Sequence, residues 1–429
     1  MNKNIKLAVA GAVLALSATA NAGILIPAGD WTVDIGGNVN TYANWTNLDG
    51  TASIKSSGAT VGAGQNTTVG FGNGLLPNFL SVGGTTRQND LDVSFTISIQ
   101  PGSSHVSALG VGADGGINNR QSFITFGDKS WGSVLVGKNI GLFAQDAILS
   151  DMTLLGVGAA SAGTGNTSLG RIGYGYIYAD WKPMIAYTTP NMNGFQATVG
   201  ISQPFTATSL LGNGAATAGT SATASATSAS PAYEGKASYS FAANDVTGKV
   251  WVSGISQRVG SFANQTNVAS LNSNSDQVAY AADIGANINM AGFGLTGYYY
   301  GGTGIGTTGQ MLDGYGVSAT TTTRMEGRDS SGGYVQATYI LPTKTKMGVS
   351  WGTSKLDLAS GETNATTATA NLGVSGLLQK ENRMWTVGAY HPLTKHLNLV
   401  AEYNYSESEN QAGQENKSKN GSLGAILFF

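Results

Sequence analysis

The 429-residue chain has no cysteine. Disulfide staples, thiolate metal sites and a Cys nucleophile are excluded together. Histidine is nearly absent too, with only His105, His391 and His396. Charged residues make up 11% of the chain, against about a quarter in an ordinary soluble domain. The formal net charge is −2, and a near-neutral chain without Lys/Arg clusters has no footprint for nucleic acid. Beyond the first residues no apolar run approaches the length of about 18 that a membrane-spanning helix needs. The ordinary hydrophobic fraction, 41%, is therefore divided among short segments. A secreted all-β protein and a β-barrel remain.

The two ends carry more. Lys3 and Lys6 precede an apolar run from Leu7 to Leu16, and Ala20-Asn21-Ala22 offers a small-x-small cleavage site. Residues 1–22 read as a secretory signal peptide, leaving 23–429 as one barrel unit. At the other end Leu423, Ala425 and Leu427 lead at every second position into Phe429. An exported chain closing on such a strand points to the bacterial outer membrane.

Two-residue periodicity runs almost throughout. Trp31, Val33, Ile35, Val39 and Ala43 share one face of the first strand, with Asp34, Asn38, Asn40 and Asn44 on the other. Leu91, Val93, Phe95, Ile97 and Ile99 alternate with Asp92, Ser94, Thr96, Ser98 and Gln100. Alternation gives each strand an apolar and a polar side, which a soluble sandwich shares. Counting separates the two. The pattern predicts sixteen strands, near 31–45, 78–87, 90–100, 119–127, 131–138, 178–189, 195–202, 233–241, 246–257, 277–288, 293–301, 332–341, 345–356, 381–391, 396–405 and 420–429. Seven short turns alternate with eight long connections, the last over 406–419. Sixteen antiparallel strands with both termini on the short-turn side need that alternation, and closure removes unpaired edges from lipid.

Trp31, Tyr42, Trp45, Tyr298 to Tyr300, Phe428 and Phe429 lie near strand ends, where interfacial girdles belong. Thr217 to Ser230 and Gly361 to Ala370 are low in complexity and read as solvated loops. Gly304-x-Gly306 lacks the strand-to-helix context of a nucleotide site. His391 and His396 bracket a short turn and His105 lies in a long loop, so no strand-held base is available to a Ser nucleophile. The sequence predicts no enzyme, no cofactor and no metal.

Residues 119–146 run from Asn119-Arg120-Gln121 through Phe126-Gly127 and Gly137-Lys138 to Gln145-Asp146. They resemble the strand-turn-strand before the constriction loop of Gram-negative general porins. Ile185 to Pro190, Gly194-Phe195, Pro392 to Lys395 and the closing Phe429 resemble that family's motifs in the same order. The resemblance implies a homotrimer of sixteen-stranded all-β antiparallel barrels, each with a third loop folded inward, here about 139–177. It implies Asp146 and Asp151 facing the lumen, with a basic cluster opposite. Lys138 falls on one position of that cluster and Val82 on a second, while a third holds Asp180 or Lys182; Arg171 is a further candidate. The resemblance also makes Phe429 a signal for the barrel-assembly machinery. Partners would be outer-membrane lipid, lipopolysaccharide and small hydrophilic solutes.

The function so predicted is passive diffusion through an outer-membrane pore. The alternatives are a channel selective for an anion, sugar or organic acid on the same barrel, and a secreted surface-layer or adhesin protein.

Overall fold

The alternating segments form strands where the period predicts them. The computed structural model describes residues 23–103, 117–159, 166–211, 222–260, 277–317, 325–362 and 375–429, with 262, 364 and 366 singly. The signal-peptide segment 1–22 and His105 lie outside the described residues. The wall strands are β1 (Trp31–Asp49), β2 (Phe79–Gln88), β3 (Leu91–Pro101), β4 (Ile117–Asp128), β5 (Gly132–Ile140), β6 (Trp181–Thr188), β7 (Phe195–Ser202) and β8 (Ala232–Ala243). The other half comprises β9 (Val246–Val259), β10 (Gln277–Met290), β11 (Phe293–Thr303), β12 (Asp329–Ile340), β13 (Lys346–Leu356), β14 (Gln379–Pro392), β15 (Leu397–Asn410) and β16 (Glu415–Phe428). Each pairs antiparallel with the next, and β16 closes on β1 from Asn38↔Phe428 to Asp49↔Lys417. Ile24–Ala28 folds back on β1, and Phe429 extends the seam by exchanging backbone hydrogen bonds with Gly37.

Two of the short turns show why the chain reverses there. Asn89 and Asp90 both have positive φ, 48° and 62°, as do Ala291 and Gly292 at 48° and 84°. Two successive residues of this kind make the hairpin turn whose twist matches that of the strands.

The faces are inverted relative to a soluble sandwich. Ile97 and Ile99 are 52% and 39% exposed, whereas Ser98 and Gln100 between them are 1% and 3% exposed. The apolar side looks outward and the polar side inward. The same alternation corrects the aromatic assignment: Tyr42, Tyr298 and Tyr300 are buried inside, while Trp45 and Tyr299 are exposed outside. Three consecutive tyrosines in a strand cannot share one face.

The eighth long connection is not one. β15 and β16 run on to Asn410 and Glu415, leaving residues 411–414 as a tight turn. Above the Trp351–Trp385 pair the outer face turns from apolar to charged, in the row Arg383↔Glu407↔Lys417↔Asp49. Polar residues then stand on both faces, so the strand ends lose their amphipathic signature. Of the low-complexity segment, Ala222–Ala226 pairs with Ala207–Leu211 and residues 217–221 lie outside the described residues. In the second such segment Glu362 is buried against Arg328, at 2.5 Å.

Candidate pore constriction

The third loop leaves β5 at Gly141 and returns to β6 at Trp181, so it spans 141–180 rather than 139–177. Its described residues, 141–159 and 166–180, stay inside the barrel. Gly141 N–H donates to the Asp180 carbonyl at 2.8 Å and closes its base. A loop within a polar barrel must satisfy its backbone groups, and wall side chains do this in sequence. Glu234 accepts the N–H groups of Leu142 (2.8 Å) and Phe143 (3.1 Å). Asp283 accepts that of Ala144 at 3.1 Å. The single turn α1 (Gln145–Ser150) follows, its Ala147 carbonyl receiving the Tyr334 hydroxyl at 2.8 Å. Gln336 bridges Ser150 O and Met152 N, and Tyr42 donates to Leu155 O at 2.6 Å. Glu402 accepts both Val157 and Gly158 N–H groups at 2.8 Å, with the Tyr390 hydroxyl on its other oxygen.

The candidate residues separate by face. Asp146 is buried between Lys236 of β8, at 3.1 Å, and Lys249 of β9. Burial alone would raise its carboxyl, but the two lysines outweigh burial and hold it below the usual carboxylate range. Asp151 does not face water: it accepts from Thr153 and Tyr176 and stands 4.0 Å from Arg171. Arg171 is fully buried, donating to Met384 O at 3.0 Å and Thr386 Oγ1 at 2.9 Å. Lys182 is buried against Glu234 (2.5 Å) and Gln310 (2.9 Å), over the Phe205 ring. These three fix the loop to the wall; their charges are compensated away from any passage.

Lys138 is on the other side of the wall. It pairs with Ser122 and Pro183, in line with outward-facing Ile124 and Ile185. Its ammonium donates to Asn119 O at 2.7 Å. Val82 also faces outward. Strand alternation therefore removes both from the lumen.

Arg120 was missed. A bulge in β4 sets Gln121 opposite Ser98 but Asn119 opposite Ile99, leaving Arg120 as the extra residue. Bulges re-aim side chains in this way. Arg120 acts electrostatically on the Tyr178 hydroxyl of the third loop, which burial pushes up, Arg120 pulls back and Asp180 raises again. Its guanidinium has no hydrogen-bond or ion-pair partner among the described residues. Asp180, half-buried with φ 58°, accepts the Trp181 N–H at 2.7 Å and acts on the same Tyr178 hydroxyl. The signal lay in the sequence as an Arg adjoining the inward series Gln121, Phe123 and Thr125. The wall around it presents Ser81, Thr85, Ser94, Thr96 and Gln121 inward, all uncharged.

The chain matches the sequence model of a family described as Gram-negative porin over residues 7–411. No curated protein sequence matches it. Its fold is similar to the outer membrane channel DcaP of Acinetobacter baumannii, with a TM-score of 0.62 at 14% identity, covering 94% of this chain and 99% of that one. It is similar to OmpF of Salmonella typhi in complex with daunomycin, with a TM-score of 0.54 at 13% identity, covering 95% and 100%. It is similar also to the trimer form of in-vitro folded OmpT of Vibrio cholerae, with a TM-score of 0.51 at 13% identity, covering 93% and 99%.

Proposed function

The chain belongs to the Gram-negative porin family, and on that premise we propose how its barrel selects what it passes. As a porin it sits in the outer membrane and forms a channel for passive diffusion. The lumen is narrowed by the third loop, and solutes pass between that loop and the wall of β2 to β5, whose mid-strand inward residues Ser81, Thr85, Ser94, Thr96 and Gln121 are uncharged and adjoin Arg120. Arg120 and Asp180 are the charges that a passing ion meets at short range, where little water screens them. The observation carrying this reading is the row of wall carboxylates and amides that holds the loop inside. A general diffusion pore fits better than a channel for one solute, because the open wall carries hydroxyls and amides without a convergent binding group. The family and fold are those of channels, and the reading includes no catalytic step; His391 is engaged by Thr345 at 2.9 Å.

Residues 1–22 act as a leader removed on export, and the mature protein is a homotrimer in lipopolysaccharide-containing membrane. The short strands β2 to β7 support the trimer: their low wall presents Leu80, Val82, Ile97, Ile99 and Ile124 outward, a surface suited to subunit contact. Detergent-extracted protein should begin at Gly23, migrate unboiled as a trimer, and swell liposomes in neutral sugars at rates falling smoothly with solute size. Saturating entry of one sugar far ahead of smaller ones would replace this reading with the substrate-selective alternative.

A further inference from the structure

The third loop is not alone in the lumen. The sixth loop, from Gly304 between β11 and β12, turns inward with Ile305, Thr307, Thr308, Gln310, Met311 and Asp313 all buried. Gly304 and Gly306 adopt φ of +75° and +79°, and a Cβ on Gly306 would meet the Leu312 carbonyl oxygen at 2.0 Å. The Gly-x-Gly pair thus forms the tight turn that brings the loop tip back on itself.

Bonds fix this tip on three sides. Toward the third loop, Tyr178 N–H donates to Thr308 O at 2.7 Å, and the Gln310 amide donates to the carbonyls of Tyr178 (3.2 Å) and Ala179 (3.0 Å). Gln310 also accepts from Lys182 on β6 at 2.9 Å. Four strands lie between β6 and β11, so this contact crosses the lumen. Toward the first loop, Asp313 accepts from Ser57 N (2.5 Å) and Ser57 Oγ (2.7 Å), and Thr308 Oγ1 accepts from Ala59 N at 3.0 Å. Toward the fourth, Thr208 N–H donates to Met311 O at 3.0 Å and Asp313 N–H donates to Thr208 O at 2.7 Å. The first loop is itself tied to the far wall: Val61 N–H donates to Ser408 Oγ at 2.8 Å, and Asn382 donates to Ala59 O at 2.8 Å. A continuous bonded span thus runs from β6 through the sixth and first loops to β14 and β15.

We propose that this span is a second tier of the pore, on the external side of the third loop, and that the sixth-loop tip sets the largest solute admitted. The proposal rests on the porin reading and adds a determinant to it. Buried backbone held by hydrogen bonds at Thr308, Met311 and Asp313 opens only at a free-energy cost, so the tier keeps its place in the cross-section. Of the tip, Gly309 and Leu312 alone remain part-exposed, which marks the side that borders open space.

The native chain has no cysteine, so a single introduced thiol reports without background. Leu312→Cys protein in planar bilayers, treated from the external side with a bulky cationic methanethiosulfonate, should lose about half of its single-channel conductance. Stoichiometric labelling by mass spectrometry with unchanged conductance overturns the proposal. In a second variant residues 306–311 are replaced by a two-residue Gly-Ser link. It should pass larger oligosaccharides in liposome swelling; the wild-type size limit in a folded, heat-modifiable barrel overturns it equally. A wild-type control that forms no pore would sink the porin reading instead, so the two failures are distinguishable.

Discussion

Lys138 follows Val134, Leu135, Val136 and Gly137, a run with no polar position to say which side is wet. Its face is decided by register with β6, a pairing some 45 residues on that periodicity does not contain. Arg120 is the converse case, since the bulge that turns it inward shifts the local period by one. Asp151, Arg171 and Lys182 were legible as charges near the third loop, but not their burial, because their partners come from distant strands. A pair of substitutions on adjacent strands separates the faces. In a tenfold KCl gradient Arg120→Glu should move the zero-current potential toward cations by about 10 mV or more, since a charge inside a narrow pore acts at short range. Lys138→Glu, on the outer face, should leave it unchanged. Equal shifts in both would contradict the assignment of faces.

The third loop is held as an element by its wall contacts. Hydrogen bonds to charged acceptors contribute about 1.5–3 kcal/mol each, and the loop receives several, from Glu234, Asp283 and Glu402. Its crossing point also requires glycine: a Cβ on Gly158 would lie 2.5 Å from the Gly170 backbone. Asp146 ties α1 to Lys236 and Lys249. Because its carboxyl is depressed, this tie is fully present above the unfolded carboxylate value of about 3.9. It is lost as pH falls through its own lower value. Current noise from loop release should therefore appear only below about pH 4, while Asp146→Asn should show it at neutral pH. Noise that sets in between pH 5 and 6 in the wild type would point to another group. The inward course of the sixth and first loops was not legible, because the few buried apolar residues there, Ala59, Val61, Ile305 and Met311, are scattered among Gly, Thr, Ser and Gln with no strand period. The tight turn at 411–414 was hidden for a related reason, since the charged outer row begins where the apolar band ends.

The sixteen strands and the order of their connections were legible because closure demands an even, alternating plan and the two-residue period marks each wall segment. The same period left the choice between barrel and sandwich open. Exposure closes it: apolar residues face out along the wall while Asn38, Asn40, Ser98 and Gln100 face in. Such a molecule is stable only with lipid around it and water within it. That water carries the function, since passive diffusion requires a continuous aqueous path past the third loop. Single-channel conductance of the wild-type protein, followed from 0.1 to about 3 M KCl, tests this most directly. A water-filled pore should give a stable conductance that rises in proportion to bulk salt conductivity at either polarity. Saturation well below molar salt, or bilayers that stay sealed with folded protein inserted, would contradict it.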